Sequence, residues 1–278
     1  MNAPLALLLG VQLFAALPNA GTWRINNWVP GDDVQLSMTR RAGTSRWMMS
    51  TGYPMSELHG LTREQLRAMH GEVAFELRRD AGTFVFEGTT TFGVGNGRFR
   101  FDPDPAFRDK LAELGYGAPD EEAMLGMAMR DVSLEYASQV KQLGLSKVEI
   151  EDLFAFRDRG IELPLLRELA GMGFPGLTAT DVVALSDHGV GGAYLKGMKE
   201  SGFPALDVKD VIRFHDRGIA PEFVRGVAEA GRGSLSVDDL ILLHDHGITP
   251  EYVARVEGSG FKELTAEQIV RLHDHGVD

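Results

Sequence analysis

Cysteine is absent from the sequence. That removes disulfide staples, thiol nucleophiles and thiolate metal sites together, so any core must hold by packing alone. Lysine is missing from the first 103 residues, where ten arginines face nine acids. Basic side chains are the minority overall, 28 against 40 acidic, and the shortfall lies in residues 104–278, with 18 basic and 31 acidic. A surface of that sign repels a phosphate backbone and argues against nucleic acid as a partner. Tryptophan is scarce: Trp23, Trp28 and Trp47 are the three. No apolar run reaches the length of a membrane span. No catalytic triad, dyad or cofactor motif can be traced, so no enzymatic activity and no cofactor is expected.

What is present is a folded chain with 44% hydrophobic and 24% charged residues, in the ordinary range for globular proteins. Residues 1–20 read as a signal peptide. They are apolar from Ala3 to Pro18, and Asn2, Gln12 and Asn19 are the only strongly polar side chains. No Lys or Arg precedes the apolar run, and Pro18-Asn19-Ala20 supplies a small residue for cleavage. A periplasmic or secreted location is expected. An uncleaved anchor and a buried first helix are the alternatives.

Residues 21–103 carry the period of strands. Val34-Gln-Leu-Ser-Met-Thr alternates apolar and polar, and Val73-Ala-Phe-Glu-Leu does so less cleanly. Asp80-Ala81-Gly82 reads as a tight turn into Thr83-Phe-Val-Phe-Glu, and Gly97-Arg-Phe-Arg-Phe alternates again. These predict an antiparallel β domain. Thr62-Arg-Glu-Gln65 is a capping box that opens a short helix ending near His70-Gly71. Gly93, Gly95 and Gly97 do not make a phosphate loop, because the segment after them is strand-like; they predict a flexible turn between two strands. Trp23, Trp28 and Trp47 are candidates to line a small-ligand pocket in this domain, with core packing as the plainer role.

Residues 104–278 repeat every 29 residues. Gly160, Gly189, Gly218, Gly247 and Gly276 each follow Asp-Arg or Asp-His. Gly115, Gly144, Gly173, Gly202, Gly231 and Gly260 form a second ladder at the same spacing. Asp120, Glu149, Thr178, Asp207, Ser236 and Thr265 occupy a helix-capping column in which Glu149 is the one poor cap. Each unit therefore predicts two short helices separated by glycine turns, and six units predict a helical solenoid. The fold class is α+β, a β domain followed by the helical repeats. The first copy departs at Asp131, which stands where the turn glycine belongs, and its free face is expected to dock on the sheet. In the last copy Ile269, Val270 and Leu272 are expected to present a partly open face. Self-association through that carboxyl-terminal repeat, or a partner there, follows.

The column around the turn glycines carries the chemistry. Asp158, Asp187, Asp216, Asp245 and Asp274 lie two residues before each glycine. Arg159, His188, Arg217, His246 and His275 follow them, and Arg157, Ser186, His215, His244 and His273 precede them. Two readings stand. One is a structural ladder of turn-capping carboxylates with cations at the helix C-termini. The other is a divalent metal site built from His244, His246, His273 and His275. Side chains two apart on a helix diverge, so that site needs ligands from adjacent units, such as His246 with His275.

The repeat, in forms such as Ile248-Thr-Pro-Glu-Tyr-Val253 and Leu264-Thr-Ala-Glu-Gln-Ile-Val-Arg-Leu-His-Asp-His-Gly-Val277, resembles tandem repeats in extracytoplasmic regions of bacterial sensor-type membrane metallopeptidases related to the beta-lactam sensor family. Leu77-Arg-Arg-Asp-Ala-Gly-Thr-Phe-Val-Phe-Glu-Gly88 and Gly97-Arg-Phe-Arg-Phe101 resemble the sheet region that accompanies those repeats, so the likeness covers roughly residues 33–278. Those peptidases have a His-Glu-x-x-His helix and several membrane spans, and neither is present here. The resemblance implies the extracytoplasmic part without its enzyme, a sensing or binding accessory that engages an unidentified protein partner.

Overall fold

The computed structural model describes residues 19–26, 33–42, 45–172, 176–203, 206–260 and 264–277. The expected signal peptide, apart from Asn19 and Ala20, lies outside them. The chain is α+β, with an antiparallel sheet over residues 20–103 and a series of helices after it. It divides into two compact units. One runs to Gln139 and also takes in Glu149–Arg157; the other comprises Val140–Val148 and Asp158–Asp278.

In the first unit seven strands form one sheet: β1 Ala20–Asn26, β2 Asp33–Ala42, β3 Ser45–Pro54, β4 Leu58–His59, β5 Gly71–Arg79, β6 Gly82–Thr91 and β7 Val94–Pro103. Their order across the sheet is β3-β2-β1-β7-β6-β5-β4. Two strands separate β1 from β5, which in a flat sheet would put them roughly 14 Å apart. Yet the Trp23 ring on β1 meets the Phe75 ring on β5 edge-on, with centroids 5.1 Å apart. The sheet is therefore curled, and its concave face is the core. Pairing places Phe86 opposite both Phe75 and Phe99, and Phe84 opposite Phe101. All five rings are buried, together with Ile25, Leu36 and Met38.

Glycines make room for Trp23 in that core. Gly97 lies opposite both Trp23 on β1 and Gly88 on β6. A Cβ on Gly97 would fall 2.0 Å from the Glu87 carbonyl oxygen and 2.7 Å from Trp23 Nε1. The indole N–H instead donates to that carbonyl at 3.1 Å. This corrects the expected flexible turn. Gly93, at φ 85°, does sit in the β6–β7 connection, but Gly95 and Gly97 lie inside β7. They are there because the indole occupies the space their side chains would need.

Helix α1, Arg63–Arg67, begins with the expected capping box: Thr62 Oγ1 accepts from Gln65 N–H, and Gln65 Oε1 accepts from Thr62 N–H. It stops short of His70. The carbonyls a further turn would use are already occupied, with Gln65 taken by the Thr90 hydroxyl, Leu66 by Gly93 N–H and Ala68 by Phe92 N–H.

After the sheet come α2 Pro105–Leu111, α3 Glu121–Met129, α4 Leu134–Gln142 and α5 Ile150–Asp158. Helix α3 packs on β6 and β7, where Met124, Leu125, Met127 and Ala128 are buried. Part of residues 104–132 thus does lie on the sheet, as expected. Asp131 takes φ 53°, the left-handed conformation that later copies give to glycine, and Val132 N–H reaches back to the Met127 carbonyl. Asp is one of the few non-glycine residues that tolerate this geometry. Its carboxylate faces Arg79 Nε at 3.2 Å and Arg157 at 3.9 Å.

The second unit holds α6 Leu163–Gly171, α7 Ala179–Asp187, α8 Gly192–Lys199, α9 Val208–Asp216, α10 Pro221–Val227, α11 Val237–Asp245, α12 Pro250–Gly258 and α13 Ala266–Asp274. Thr178, Asp207, Ser236 and Thr265 cap α7, α9, α11 and α13, each side-chain oxygen accepting the third-residue amide. These helices end alike. Gly189, Gly218, Gly247 and Gly276 take φ between 68° and 70°, and the next amide bonds five residues back, as Ile219 N–H does to the Phe214 carbonyl. Helices pack on the second-next helix: α6 on α8, α8 on α10, α10 on α12, α7 on α9, and α11 on α13. At the carboxyl end the expected open face is not found. Ile269 is 0% and Val270 6% exposed, and Leu272 is half-buried, because α13 turns these residues inward onto the neighbouring helices.

Candidate functional site

Two places gather the residues singled out from sequence. The first is the turn column of the second unit. The Arg or His after a turn carboxylate meets the carboxylate of the following turn. Arg159 Nε donates to Asp187 Oδ1 at 2.7 Å, and His188 Nδ1 lies 3.0 Å from Asp216 Oδ1. Arg217 reaches Asp245 at 4.0 Å and His246 reaches Asp274 at 3.7 Å. The ladder joins successive turns, so the carboxylates that oppose their own helix dipoles find compensation one unit earlier. The Arg159 hydrogen bond holds the Asp187 carboxyl below the usual carboxylate range.

The preceding column is built differently. The rings of His215, His244 and His273 stand edge-on to Tyr194, Phe223 and Tyr252, with centroids 5.0, 5.4 and 5.1 Å apart. Aromatic columns from the first helices therefore fix these imidazoles. Nδ1 of His244 and of His273 is buried without a hydrogen-bond partner, each 3.7 Å from its own following aspartate. The nearest acidic partner of His246 is Asp274, and the His275 side chain is exposed. Among the described residues no group of three or more His, Asp or Glu is placed to share a metal ion.

The second place is a cleft of about 260 Å³ in the first unit. It lies where the inner face of β2 and β3 meets α3 and α5. Arg40 and Trp47 are cross-strand partners on these strands. Arg40 is 8% exposed, and its Nη1 donates to Glu122 Oε2 at 3.1 Å. Trp47 is half-buried. Across the cleft stand Leu125, Met129, Arg130 and Phe154. The Arg130 guanidinium lies over the Phe154 ring at 4.7 Å from its centroid, and Gly126 lets that ring close on α3, since a Cβ there would be 3.0 Å from Phe154 Cζ.

The three candidate tryptophans thus part company. Trp47 lines the cleft, Trp23 is sealed at 2% exposure against Phe75 and Phe86, and Trp28 lies outside the described residues. Sequence reading missed Arg40, Arg130 and Phe154. Arg40 carries a readable signal, a charge at an inward position of an alternating strand. Phe154 sits in α5 and Arg130 just past the end of α3, and helical periodicity does not tell a cleft from a core.

A scan against protein-family models finds no match, and a search of curated proteins finds no relative.

Proposed function

We propose that this chain is a non-catalytic exported binding or sensing module. Its 29-residue helix pairs stack as a solenoid and present an acidic surface to a protein partner. The observation that supports this reading is the turn ladder. Arg159, His188, Arg217 and His246 are each directed at a carboxylate of the next turn, so the Arg and His side chains of that row serve the array itself. Residues 104–278 meanwhile carry 13 more acids than bases, which leaves a negative surface for a basic partner. The resemblance to extracytoplasmic repeats of sensor peptidases points the same way.

Affinity capture tests it, with the full chain as bait at low and high salt and with a Glu222→Gln, Glu229→Gln, Glu267→Gln variant beside it. These three glutamates are exposed. A partner held by the native chain at low salt, and lost by the variant and in high salt, is the expected result. Recovery of no partner, with measurable turnover of a small substrate, would overturn the proposal.

A further inference from the structure

We infer that the outer edge of β3 is a dimer interface, at which the same strand of a second copy of this chain pairs antiparallel about Ser50. This is independent of the protein-binding surface proposed above, because β3 belongs to the first unit.

The edge itself is unguarded. β3 closes one margin of the sheet. Its ten residues pair with β2 in an unbroken register, from Asp33 opposite Pro54 to Ala42 opposite Ser45, with no bulge. Among the described residues, no backbone group outside β2 bonds to it. Alternate residues of such a strand turn both N–H and C=O away from their one neighbour, here along an edge about 33 Å long. Natural sheets guard an edge with charge, proline, a bulge or brevity. The opposite margin does so: its edge strand β4 has two residues, and β5 behind it carries Glu72 and Glu76. Trp47-Met-Met-Ser-Thr-Gly-Tyr53 has no charged residue and no proline. Met48 is 66% exposed, and Ser50, Thr51 and Gly52 are exposed beside it.

The occupant follows from length, pattern and charge. β4 is too short to complement a ten-residue strand, so the edge that matches β3 is β3 itself. An edge that pairs with itself does so about a two-fold axis, and it closes at two copies instead of growing into a fibre. One register makes the strand self-complementary. Trp47, Met49, Thr51 and Tyr53 share the inner face, opposite Arg40, Met38, Leu36 and Val34 of β2. With Ser50 on the axis, Trp47 stands beside Tyr53 of the second copy and Met49 beside its Thr51. On the outer face Met48 stands beside Gly52 of the second copy. Aromatic thus meets aromatic and large meets small, as neighbouring strands prefer. A charge near a two-fold axis meets its own copy, and this axis crosses an uncharged stretch. Residues 1–103 hold ten arginines against nine acids, whereas residues 104–278 carry 13 more acids than bases, so two copies repel least through the sheet. One strand pair covers less than the roughly 1,200–2,000 Å² of a stable complex, so the dimer is a weak one that forms at high concentration.

The test is sedimentation of the full chain over a concentration series reaching about 1 mM. A monomer–dimer equilibrium is expected. Ser50→Lys and Ser50→Glu each set two like charges face to face on the axis, and each should weaken the dimer about 10-fold or more. Mixing the two variants should restore association, because opposite charges then face each other. Met48→Lys should also weaken it several-fold, and this exposed side chain lies clear of the bonds that the Ser50 hydroxyl makes to Gln35 and Ser37, which keeps the test decisive if the Ser50 variants fail to fold. A chain that stays monomeric throughout, leaving the edge to a foreign strand, would overturn the inference. So would a dimer that Ser50→Lys and Met48→Lys leave unchanged, as contact through the last repeat would be, or no gain on mixing folded Ser50→Lys and Ser50→Glu.

Discussion

Gly226 lies against the ring of Pro250, and a Cβ built on it would stand 2.7 Å from the proline Cβ. Gly197 meets Pro221 in the same way one repeat earlier, at 2.8 Å to Cγ. One repeat earlier still the sizes are exchanged. Glu168 is the large partner and Gly192 the small one, whose missing Cβ would fall 1.9 Å from Glu168 Oε1. Each of these three junctions between first helices thus has one large and one small residue, with the side that supplies each free to change.

That complementarity predicts a swap. Gly226→Ala pushes a methyl into a rigid ring and should cost about 1–3 kcal/mol. Gly192→Ala meets only the flexible carboxylate end of Glu168, which can swing aside, so it should cost less than Gly226→Ala, and a Glu168→Gly, Gly192→Ala double variant should recover whatever part of the loss the Glu168 side chain causes. Urea denaturation of the four proteins measures the coupling. Additive losses would show that the two positions do not share a junction.

A second prediction separates two kinds of glycine. Gly97→Ala collides with backbone at 2.0 Å from the Glu87 carbonyl and 2.7 Å from Gly88 Cα. The loss should be about 3 kcal/mol or more, at the upper end of overpacking effects. Gly247→Ala meets nothing within 4 Å and faces only φ 68°, so it should cost about 1–2 kcal/mol. Thermal unfolding ranks them.

Asp131 gives a third. Asp131→Gly keeps the turn and loses the contacts to Arg79 and Arg157. Asp131→Ala loses those contacts and also forces alanine into φ 53°. The alanine variant should be the less stable of the two by about 1 kcal/mol, and a chemical-denaturation comparison reads the difference directly.

The ladder gives a fourth, in pH. The Arg159 hydrogen bond depresses the Asp187 pKa in the folded chain. The stabilisation is therefore present above the unfolded carboxylate pKa and is lost as pH falls through the lower folded value. Carbon-detected NMR titration should find Asp187 below the usual Asp range, and Arg159→Gln should bring it back up. An unmoved Asp187 in that variant would show that the rung does not form in solution.

Processing gives a fifth. The Asn19 carbonyl accepts from Phe101 N–H, and its side chain donates to Glu121 Oε2 at 3.0 Å. If the apolar leader is removed on export, the mature chain should keep Asn19, with the cut before it rather than after Ala20. Intact-mass measurement of the secreted form decides.

Most of the framework was legible because it is local. Capping at Thr178, Asp207, Ser236 and Thr265, left-handed turns at the glycine ladder and alternation in β2, β5 and β7 depend on neighbours within a few residues. The uses of Gly95 and Gly97 were not legible, since they depend on an indole from a strand more than seventy residues away. The cleft was half-legible. Trp47 could be nominated from its type, but Arg40 matters through the curl of the sheet and through α3 and α5, none of which leaves a short-range pattern. The ladder of turn carboxylates beside Arg and His was legible as a pattern, but which carboxylate each side chain meets was not: the repeat gives the spacing, and the direction of each side chain comes from the packing of one turn on the next.

Trp23, sealed in an apolar pocket with its N–H held by Glu87, turns the protein into its own optical probe. Every indole chromophore precedes residue 48, so ultraviolet emission watches the amino-terminal unit, while the ellipticity near 222 nm is dominated by the helices. Heating one sample and recording both signals will show whether the two units melt together or in turn, with no label attached.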